Sequence, residues 1–425
     1  MNPASEPADS AAVRRANLGR VLRHIAEHGP CARTEIASAT GLAHGSVTAL
    51  VGDLIERGLV GEDEAPRGGG RGRPVRPVRL IPVRALSIAV QITAERLCVA
   101  VADLGGTVVW RADEAHHCPP GRPEVMADAV AAAVRRAAAA NGIAGWTAAA
   151  SGTDPGAPPP ELLRVVIAMA GPVLDDAAQT VAVAPDFGWL RPVRLRELLA
   201  ERLIGSGYVI DVINDGNAAA FAEFHARPRA RGLVLIEAGT GIGGGVVLNG
   251  RIQIGSHGVA GEPGHMPVAM DGPACVCGAR GCLVVYAGPE AVLNAAGLGD
   301  TLREAGLSAA NSLFIAALTA GEARALAAAD IAARALGVAV VGIHALLDVE
   351  EIVLGGTLAE WFPWLLPGIE DRLAGRRALT PALDLTVLPA VLGADAMLLG
   401  AIEYARRAVL ADPAAVPVLS ARTRG

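Results

Sequence analysis

One histidine and three cysteines lie within eighteen positions, and their spacing restricts the local backbone more than any other feature of this sequence. His265 follows Gly264, and thiols follow at Cys275, Cys277 and Cys282. One imidazole and three thiolates form a complete tetrahedral ligand set for zinc. The intervening glycines allow the positive φ angles that a tight wrap around a small ion requires. We therefore expect a structural zinc at these four ligands. The alternative, three unrelated structural thiols, fits the spacing less well.

Length and charge point to a modular protein that binds a ligand and a polyanion. A chain of 425 residues can form two or three domains with substantial cores. The net charge is −6, yet residues 1–80 hold 11 arginines against 9 acidic residues. An acidic body behind a mildly basic N-terminal piece suits a DNA-binding module joined to a ligand-binding body. No apolar signal-peptide core or bilayer-length charge-free run is evident, so we expect a cytoplasmic protein.

The N-terminal region has the pattern of a helix-turn-helix. Apolar residues recur at helical spacing over 13–30, from Val13 onward, and residues 33–55 read as helix, glycine-containing turn and helix. The predicted shared core comprises Ile36, Ala37, Leu42, Val47, Leu50, Val51, Leu54 and Ile55. Short side chains at the start of the second helix would let its backbone enter a major groove, where hydroxyls reach phosphates or bases.

A wing is predicted directly after the helices. Two short strands, near Val60 and at 75–80, flank the basic glycine-rich run 67–74. The alternative is an ordinary helical hairpin with a solvated basic linker, but the position of the basic run favours DNA binding. The predicted DNA contacts are Thr34, His44, Gly45, Ser46, Thr48, Arg71 and Arg73.

The body contains two segments with one plan. Residues 233–238 read as a strand, followed by the glycine loop 239–245, a strand at 246–248 and a hairpin turn at Asn249-Gly250. Earlier, strands at 87–92 and 97–102 enclose a loop at 93–95 and lead into a turn at 103–106. Short strands alternating with alanine-rich helices indicate an α/β body built from two related halves.

Three motifs together resemble the ROK family of repressors, open reading frames and sugar kinases. They are the glycine loop, the segment from Gly261 to His265 and the C-x-C-x4-C knuckle. The resemblance implies an α/β fold: a winged helix-turn-helix at 1–80, as in ROK repressors, then a two-lobed actin-like (sugar kinase/ribonuclease H-like) domain. Its lobes would span 81–207 and 208–425, and the last helix, 396–410, would pack back on the first lobe.

The resemblance also implies a sugar site. The strand at 209–213 ends in the family's N-D-x-N motif, which would place Asn214 and Asp215 with Glu262 and His265 around a sugar. In the kinases the matching aspartate is the catalytic base. The alternative for the motif is an Asx turn that caps the next helix. Val284 stands where the family has glutamate, which removes one hydroxyl contact and leaves the identity of the sugar open.

The nucleotide side is only half preserved. Residues 103–107 spell the family's D-x-G-G-T phosphate loop, but they lie one strand too late and are better explained as a hairpin turn. The first strand is followed instead by Thr93, Ala94 and Glu95, and a carboxylate there would repel phosphate. The second loop keeps its motif at Gly239, Thr240, Gly241 and Gly243. We therefore expect weak ATP binding and no catalytic role.

The sequence thus predicts a sugar-responsive transcriptional regulator of carbohydrate metabolism, a repressor that binds operator DNA as a homodimer or tetramer. An ATP-dependent sugar kinase with an appended DNA-binding domain is the main alternative. A weaker one is a sugar-binding module whose helix-turn-helix pairs with protein.

Overall fold

The structure, a computed structural model, describes residues 10–63, 76–143, 159–203, 207–379 and 385–419. The chain forms two compact units. The first unit combines Met1–Met169, Val183–Val212 and Ala401–Gly425, and the second combines Ala170–Ala182 and Ile213–Gly400. The predicted wing tip, with Arg71 and Arg73, lies outside the described residues.

The first unit begins with a winged helix. Helices α1 (Ser10–His28), α2 (Arg33–Thr40) and α3 (His44–Glu56) precede two strands, β1 (Val60–Glu62) and β2 (Val78–Leu80), which pair antiparallel. Helix, turn, helix and wing strands therefore follow in the predicted order.

The winged-helix core is nearly the predicted one. Its buried helical residues are Leu18, Val21, Leu22, Ile25, Ile36, Val47, Leu50, Val51 and Leu54, and Ala26, Ala37 and Leu42 pack against them half-buried. One predicted core residue was wrong, because Ile55 is 36 % exposed, and Val13, at the start of the predicted apolar helix face, is 45 % exposed. Successive helical residues point in different directions, and Leu54 already occupies the core face of α3 beside Ile55.

The rest of the first unit is built on a five-stranded sheet. Its strands are β3 (Ala85–Ile92), β4 (Arg96–Asp103), β5 (Val108–Ala115), β6 (Glu161–Met169) and β7 (Val209–Asn214). The order is β5-β4-β3-β6-β7, with β3 antiparallel to β4 and parallel to β6. Helices α4 (Pro123–Ala140) and α5 (Leu195–Arg202) belong to the same unit.

The D-x-G-G-T sequence is a hairpin turn, as predicted. Asp103 Oδ1 accepts a hydrogen bond from Thr107 N at 2.9 Å, and the Asp103 carbonyl accepts one from Gly106 N at 3.0 Å. This turn connects β4 to β5, whereas the loop after β3 contains Thr93, Ala94 and Glu95.

The second unit repeats the same plan. Helix α6 (Asp215–His225) leads into a sheet whose order is β10-β9-β8-β11-β12. Its strands are β8 (Gly232–Ala238), β9 (Ile242–Leu248), β10 (Arg251–Ile252), β11 (Glu351–Gly356) and β12 (Thr386–Pro389). The first strand of each sheet lies in the centre, antiparallel to the next strand and parallel to a later one. The equal order supports the predicted duplication.

Helices complete the second unit, and the last of them passes into the first. They are α7 (Val284–Ala287), α8 (Pro289–Ala296), α9 (Gly299–Thr319), α10 (Ala323–Leu347), α11 (Thr357–Glu360), α12 (Phe362–Leu379) and α13 (Ala396–Ala411). Among the described residues, α10 alone has the length and apolar composition of a membrane span, but 56 % of its apolar window is buried. Because α10 contributes many residues to the core beside β8 and α12, we assign it to that core.

The glycine loop is shorter than predicted. β9 already begins at Ile242, so the turn between strands is confined to residues 239–241, and Gly243 lies in a strand. The reason is close packing. A Cβ atom on Gly216 would lie 2.4 Å from the Gly244 carbonyl oxygen, and one on Gly245 would lie 2.8 Å from the Gly216 carbonyl oxygen, so α6 can approach this part of β9 only because Gly216 and Gly245 lack side chains.

We expect Gly244→Ala to destabilise the second unit by about 3 kcal/mol, since the new methyl group would overpack the core. A Cβ atom at Gly244 would lie 2.1 Å from Leu235 O and 2.8 Å from Pro263 Cγ. Urea unfolding of the purified full chain measures the change.

The matched control is Gly243→Ala, because a Cβ atom there meets nothing within 4 Å. Its effect should stay within about 1 kcal/mol. Equal unfolding midpoints for the two variants would contradict this packing account.

Candidate functional site

The histidine and the three cysteines form one cluster. Ligand atoms of His265, Cys275, Cys277 and Cys282 all lie within 4.8 Å of one another. Cys275 Sγ lies 3.6 Å from His265 Nδ1, and Cys277 Sγ lies 3.7 Å from Cys282 Sγ. The sulfur separation is far longer than a disulfide bond, and all the cysteines are free. The arrangement can hold a small cation.

Backbone contacts also position the four residues of the cluster. Cys275 N donates to the Ala279 carbonyl oxygen at 2.9 Å, and the chain turns at Gly278 and Gly281 with φ angles of 90° and 70°. Pro267 and Cys282 form an antiparallel bridge. The donor set of one nitrogen and three sulfurs is the type found in tetrahedral structural zinc sites, so the residues present fit zinc.

Asn214 and Asp215 lie where β7 ends and α6 begins. Asn214 Oδ1 accepts a hydrogen bond from Asn217 N at 2.9 Å, and Asn214 Nδ2 donates to Gly171 O at 3.0 Å. Asp215 Oδ1 accepts from Gly216 N at 2.8 Å. Asn214 is thus the N-cap of α6, the alternative that the sequence left open. The cap fixes Asp215 in the first turn, where the helix dipole favours its negative charge.

Glu262 and His265 come from the short 3-10 turn Pro263–His265 and the residue before it. Glu262 is half-buried, and this burial raises the pKa of its carboxyl group, against an opposing effect of nearby His265. Because His265 belongs to the metal-ligand cluster, any metal bound there would fix the turn that carries Glu262.

The two segments meet at β9. A Cβ atom on Gly244 would touch Pro263 of the 3-10 turn, and one on Gly216 of α6 would touch Gly244. A Cβ atom on Gly261 would lie 3.4 Å from Asn217 Oδ1. The structure therefore brings the Asn214–Asp215 turn close to the turn that carries Glu262 and His265.

Two further polar residues lie near this point and were missing from the predicted site. Asn217 is 6 % exposed, and its Oδ1 atom has no hydrogen-bond partner among the described residues. Glu237 lies on β8, and burial, followed by the charges of Asp215 and Glu223, raises its pKa to about 7. Both had a sequence signal: Asn217 is the last letter of N-D-x-N, and Glu237 interrupts an otherwise apolar strand.

A cavity of about 370 Å³ lies beside the phosphate-type turn in the second unit. It is lined by Thr240 and Gly241, by Cys275 and Val276 of the knuckle, and by residues of α7 and α8 that include Val284. This lining is distinct from Asn214, Asp215, Glu262 and His265. Val284 therefore gives this cavity an apolar wall.

The predicted DNA-contacting residues that are described lie on the surface of the winged helix. His44, Gly45, Ser46 and Thr48 are exposed in the first turns of α3, and Thr34 is exposed on α2. Ala43, the N-cap of α3, offers no side-chain cap to the amides of the first turn. These amides and the Ser46 hydroxyl can donate to an anion, whereas the Thr48 hydroxyl donates to His44 O at 3.0 Å.

The raised pKa of Glu237 should make folding stability depend on pH. Its carboxyl ionises in the unfolded chain near the ordinary pKa of 4.5 but in the folded chain only near 7. Folding stability should therefore fall as pH rises from about 4.5 to about 7 and then level off. In Glu237→Gln this loss is absent, so the variant should gain up to about 3 kcal/mol over wild type between these limits.

Urea midpoints measured across this pH range, up to about pH 8, give the comparison. Glu201→Gln, whose side chain is 72 % exposed in wild type, is the control. Parallel pH profiles for wild type and Glu237→Gln would show that Glu237 ionises normally in the folded protein.

Comparison with known proteins adds to this geometry. Residues 156–408 match the ROK family and residues 19–72 match the MarR family. The chain is 26 % identical to the xylose repressor of Bacillus spizizenii over 398 residues, which cover 92 % of this chain and 95 % of that protein.

Two solved structures have a similar fold. A ROK family transcriptional regulator, a homologue of the E. coli MLC protein, superposes with a TM-score of 0.76 at 23 % identity, covering 94 % of this chain and 97 % of its own. A ROK family glucokinase from Streptomyces griseus in complex with glucose and AMPPNP superposes with a TM-score of 0.57 at 28 % identity, covering 76 % and 100 %. The ROK match spans more than half of the sequence, so this chain belongs to the ROK family.

Proposed function

We propose that this protein is a sugar-responsive transcriptional repressor of carbohydrate metabolism that acts in the cytoplasm. One observation carries the proposal: a single chain combines a winged helix with a ROK domain. The start of α3 in the winged helix is exposed and has no side-chain cap, and the ROK domain retains the turns that carry Asn214, Asp215, Glu262 and His265. The xylose repressor of Bacillus spizizenii aligns along 92 % of this chain and therefore through both parts.

Operator binding would use the start of α3. The exposed side chains of His44, Ser46 and Thr48 can reach base edges or phosphates, and Gly45 permits close backbone approach. Thr34 on α2, together with Arg71 and Arg73 of the predicted wing tip, would contact the DNA backbone. Because operators are commonly two-fold symmetric, we propose that a homodimer or tetramer binds them.

The effector would be a sugar held by Asn214, Asp215, Glu262 and His265. Carboxylates and amides are suited to accept and donate hydrogen bonds to sugar hydroxyls. Because Asn214 Oδ1 already accepts the hydrogen bond that caps α6, the carboxylates of Asp215 and Glu262 would make the main contacts with the sugar.

We propose that the Cys3His cluster holds a structural zinc, which would supply a fixed positive centre for the four ligands. His265 and Cys275 would join the 3-10 turn to the knuckle. This link would keep Glu262 in place beside α6.

For zinc, Cys282→Ser should reduce the bound metal from about one ion per chain to about zero and lower the melting temperature by several degrees. Cys118→Ser is the matched control, because Cys118 lies outside the cluster. Metal analysis of the purified variants measures the loss. Full zinc content in Cys282→Ser would rule out this ligand set.

A sugar kinase is the second candidate, favoured by Asp215 at the position of the catalytic base and by the turn at residues 239–241. Glu95 opposes it, because its carboxylate stands in the loop after β3 where phosphate-binding glycines belong. We therefore propose that kinase activity is lost. An ADP-release assay with D-glucose, D-xylose and N-acetyl-D-mannosamine tests this directly, and robust turnover would favour the kinase.

The regulator itself is tested by fluorescence anisotropy of labelled DNA from the promoter next to the protein's own coding region, with and without the same sugars at fixed salt. We expect saturable binding that exceeds binding to random DNA and a change of roughly 5–150-fold in affinity with one sugar. Binding that does not distinguish promoter from random DNA would contradict the proposal.

Asp215→Asn should keep the affinity for promoter DNA but lose the response to that sugar, because it removes the carboxylate that accepts from a sugar hydroxyl. Asp300→Asn, at the start of α9 and away from the site, is the control and should respond like wild type. A full sugar response in Asp215→Asn would exclude Asp215 from the effector site.

A further inference from the structure

Helix α13 has residues in both compact units. It passes from the second unit into the first between Gly400 and Ala401. Every residue from 396 to 410 is buried or half-buried. We propose that α13 and the following segment, residues 412–419, couple the effector end of α6 to the DNA-binding helix α3. This inference rests on the proposed sugar-responsive function.

At the effector end, α13 lies directly on α6. A Cβ atom on Gly400 would lie 1.8 Å from the Ala218 carbonyl oxygen, so the two backbones touch. α6 begins with Asp215, and Ala218 belongs to its first turn. Because packed backbones cannot interpenetrate, a shift of this first turn must displace α13.

The strand that carries Asn214 also approaches α13, within the first unit. Asp211 of β7 forms an ion pair with Arg164, and its charge adds to burial in raising the pKa of Tyr404 on α13. Thus α13 is in close proximity to both elements, β7 and α6, that meet at the predicted ligand residues.

At the other end, α13 completes the core of the winged helix. Val409, Leu410 and Val416 belong to the same buried cluster as Leu50 and Leu54 of α3. A Cβ atom on Gly19 of α1 would lie 2.5 Å from the Ala411 carbonyl oxygen. The winged helix is therefore packed onto the end of α13, so a movement of that end would act on the core of the module.

Arg57, directly after α3, makes the most specific link to this segment. Its Nη1 atom donates to the carbonyl oxygens of Ala414, at 3.0 Å, and Val416. Leu419 N donates to Glu56 O at 2.9 Å. The last turn of α3 is therefore hydrogen-bonded to residues 414–419.

A second arginine, Arg84, also contacts the residue that follows α3. Arg84 is 5 % exposed and donates from Nε to the Arg57 carbonyl oxygen at 3.1 Å and from Nη1 to Pro159 O at 3.1 Å. Arg84 thereby links the end of α3 to the first sheet, because Pro159 lies two residues before β6 begins at Glu161. The C-terminal segment and Arg84 together fix the end of α3.

The length of α13 makes it an effective lever. Its sixteen residues span about 24 Å, so a tilt of about 5° moves the far end by about 2 Å. A displacement of this size at the end of α3 would change the fit of its first turn to a major groove. The coupling is expected wherever effector binding favours one orientation of α13.

The test compares two arginines that share one partner. Arg57 Nε and Arg14 Nη2 each donate to Asp53 at 2.8 Å, but Arg57 also reaches Ala414 and Val416. Arg57→Gln and Arg14→Gln therefore remove the same charge and an ion pair to the same carboxylate, while only the first releases the C-terminal segment.

Promoter affinity is measured on the full-length, zinc-loaded protein with and without D-xylose, or the panel sugar that changes wild-type affinity. We expect Arg14→Gln to keep the wild-type ratio of the two affinities and Arg57→Gln to bring that ratio close to one. Arg57→Lys, which keeps a charged donor, should restore part of it. An unchanged ratio in Arg57→Gln overturns the coupling.

Hydrogen exchange without DNA or sugar separates this inference from the proposed function. In Arg57→Gln, but not in Arg14→Gln, we expect faster amide exchange in residues 412–419, along α13 and in the first turn of α6. Faster exchange confined to residues 412–419 and α3 overturns the coupling, whatever the sugars do. A wild-type protein that ignores every sugar counts against the proposed function, while the exchange result still decides whether α13 connects the two ends.

Discussion

The candidate site depends on a contact that only glycine permits. At Gly244, β9 is packed against Leu235 O of the neighbouring strand and Pro263, and Gly216 of α6 lies on its backbone. A side chain at Gly244 would push the 3-10 turn away from the sheet, and one at Gly216 would push α6 away from β9. The polar residues of the site sit on these two elements, and His265 extends the contact into the metal-ligand cluster. One close approach therefore positions both the ligand residues and the cluster.

Much of this architecture could be predicted because its signals are local. Hairpin turns, the spacing of thiols and the repeated strand pattern each depend on a few neighbouring residues, and the two sheets have the expected duplicated order. The placement of Ile55 and the early start of β9 depend on packing against distant segments. Glu237 was missed for the same reason, since the proximity of Asp215 and Glu223 to it arises only from the tertiary fold.

The acidic residues of the second unit bear on the proposed loss of kinase activity. Glu237 lies one residue before the end of β8, next to the turn that in the kinases contacts phosphate. With a pKa of about 7 it carries part of a negative charge at neutral pH. Together with Asp215, it makes the surroundings of that turn unfavourable for a polyphosphate, and this supports the proposed repressor over the kinase.

The completion of the winged-helix core by Val409, Leu410 and Val416 has a consequence for the order of folding. During synthesis, α1, α2 and α3 leave the ribosome long before these residues are made, so the N-terminal module first emerges with part of its apolar surface uncovered. Its final packing must wait for the far end of the chain. The full stability of the DNA-binding module therefore becomes available only after the body has been synthesised.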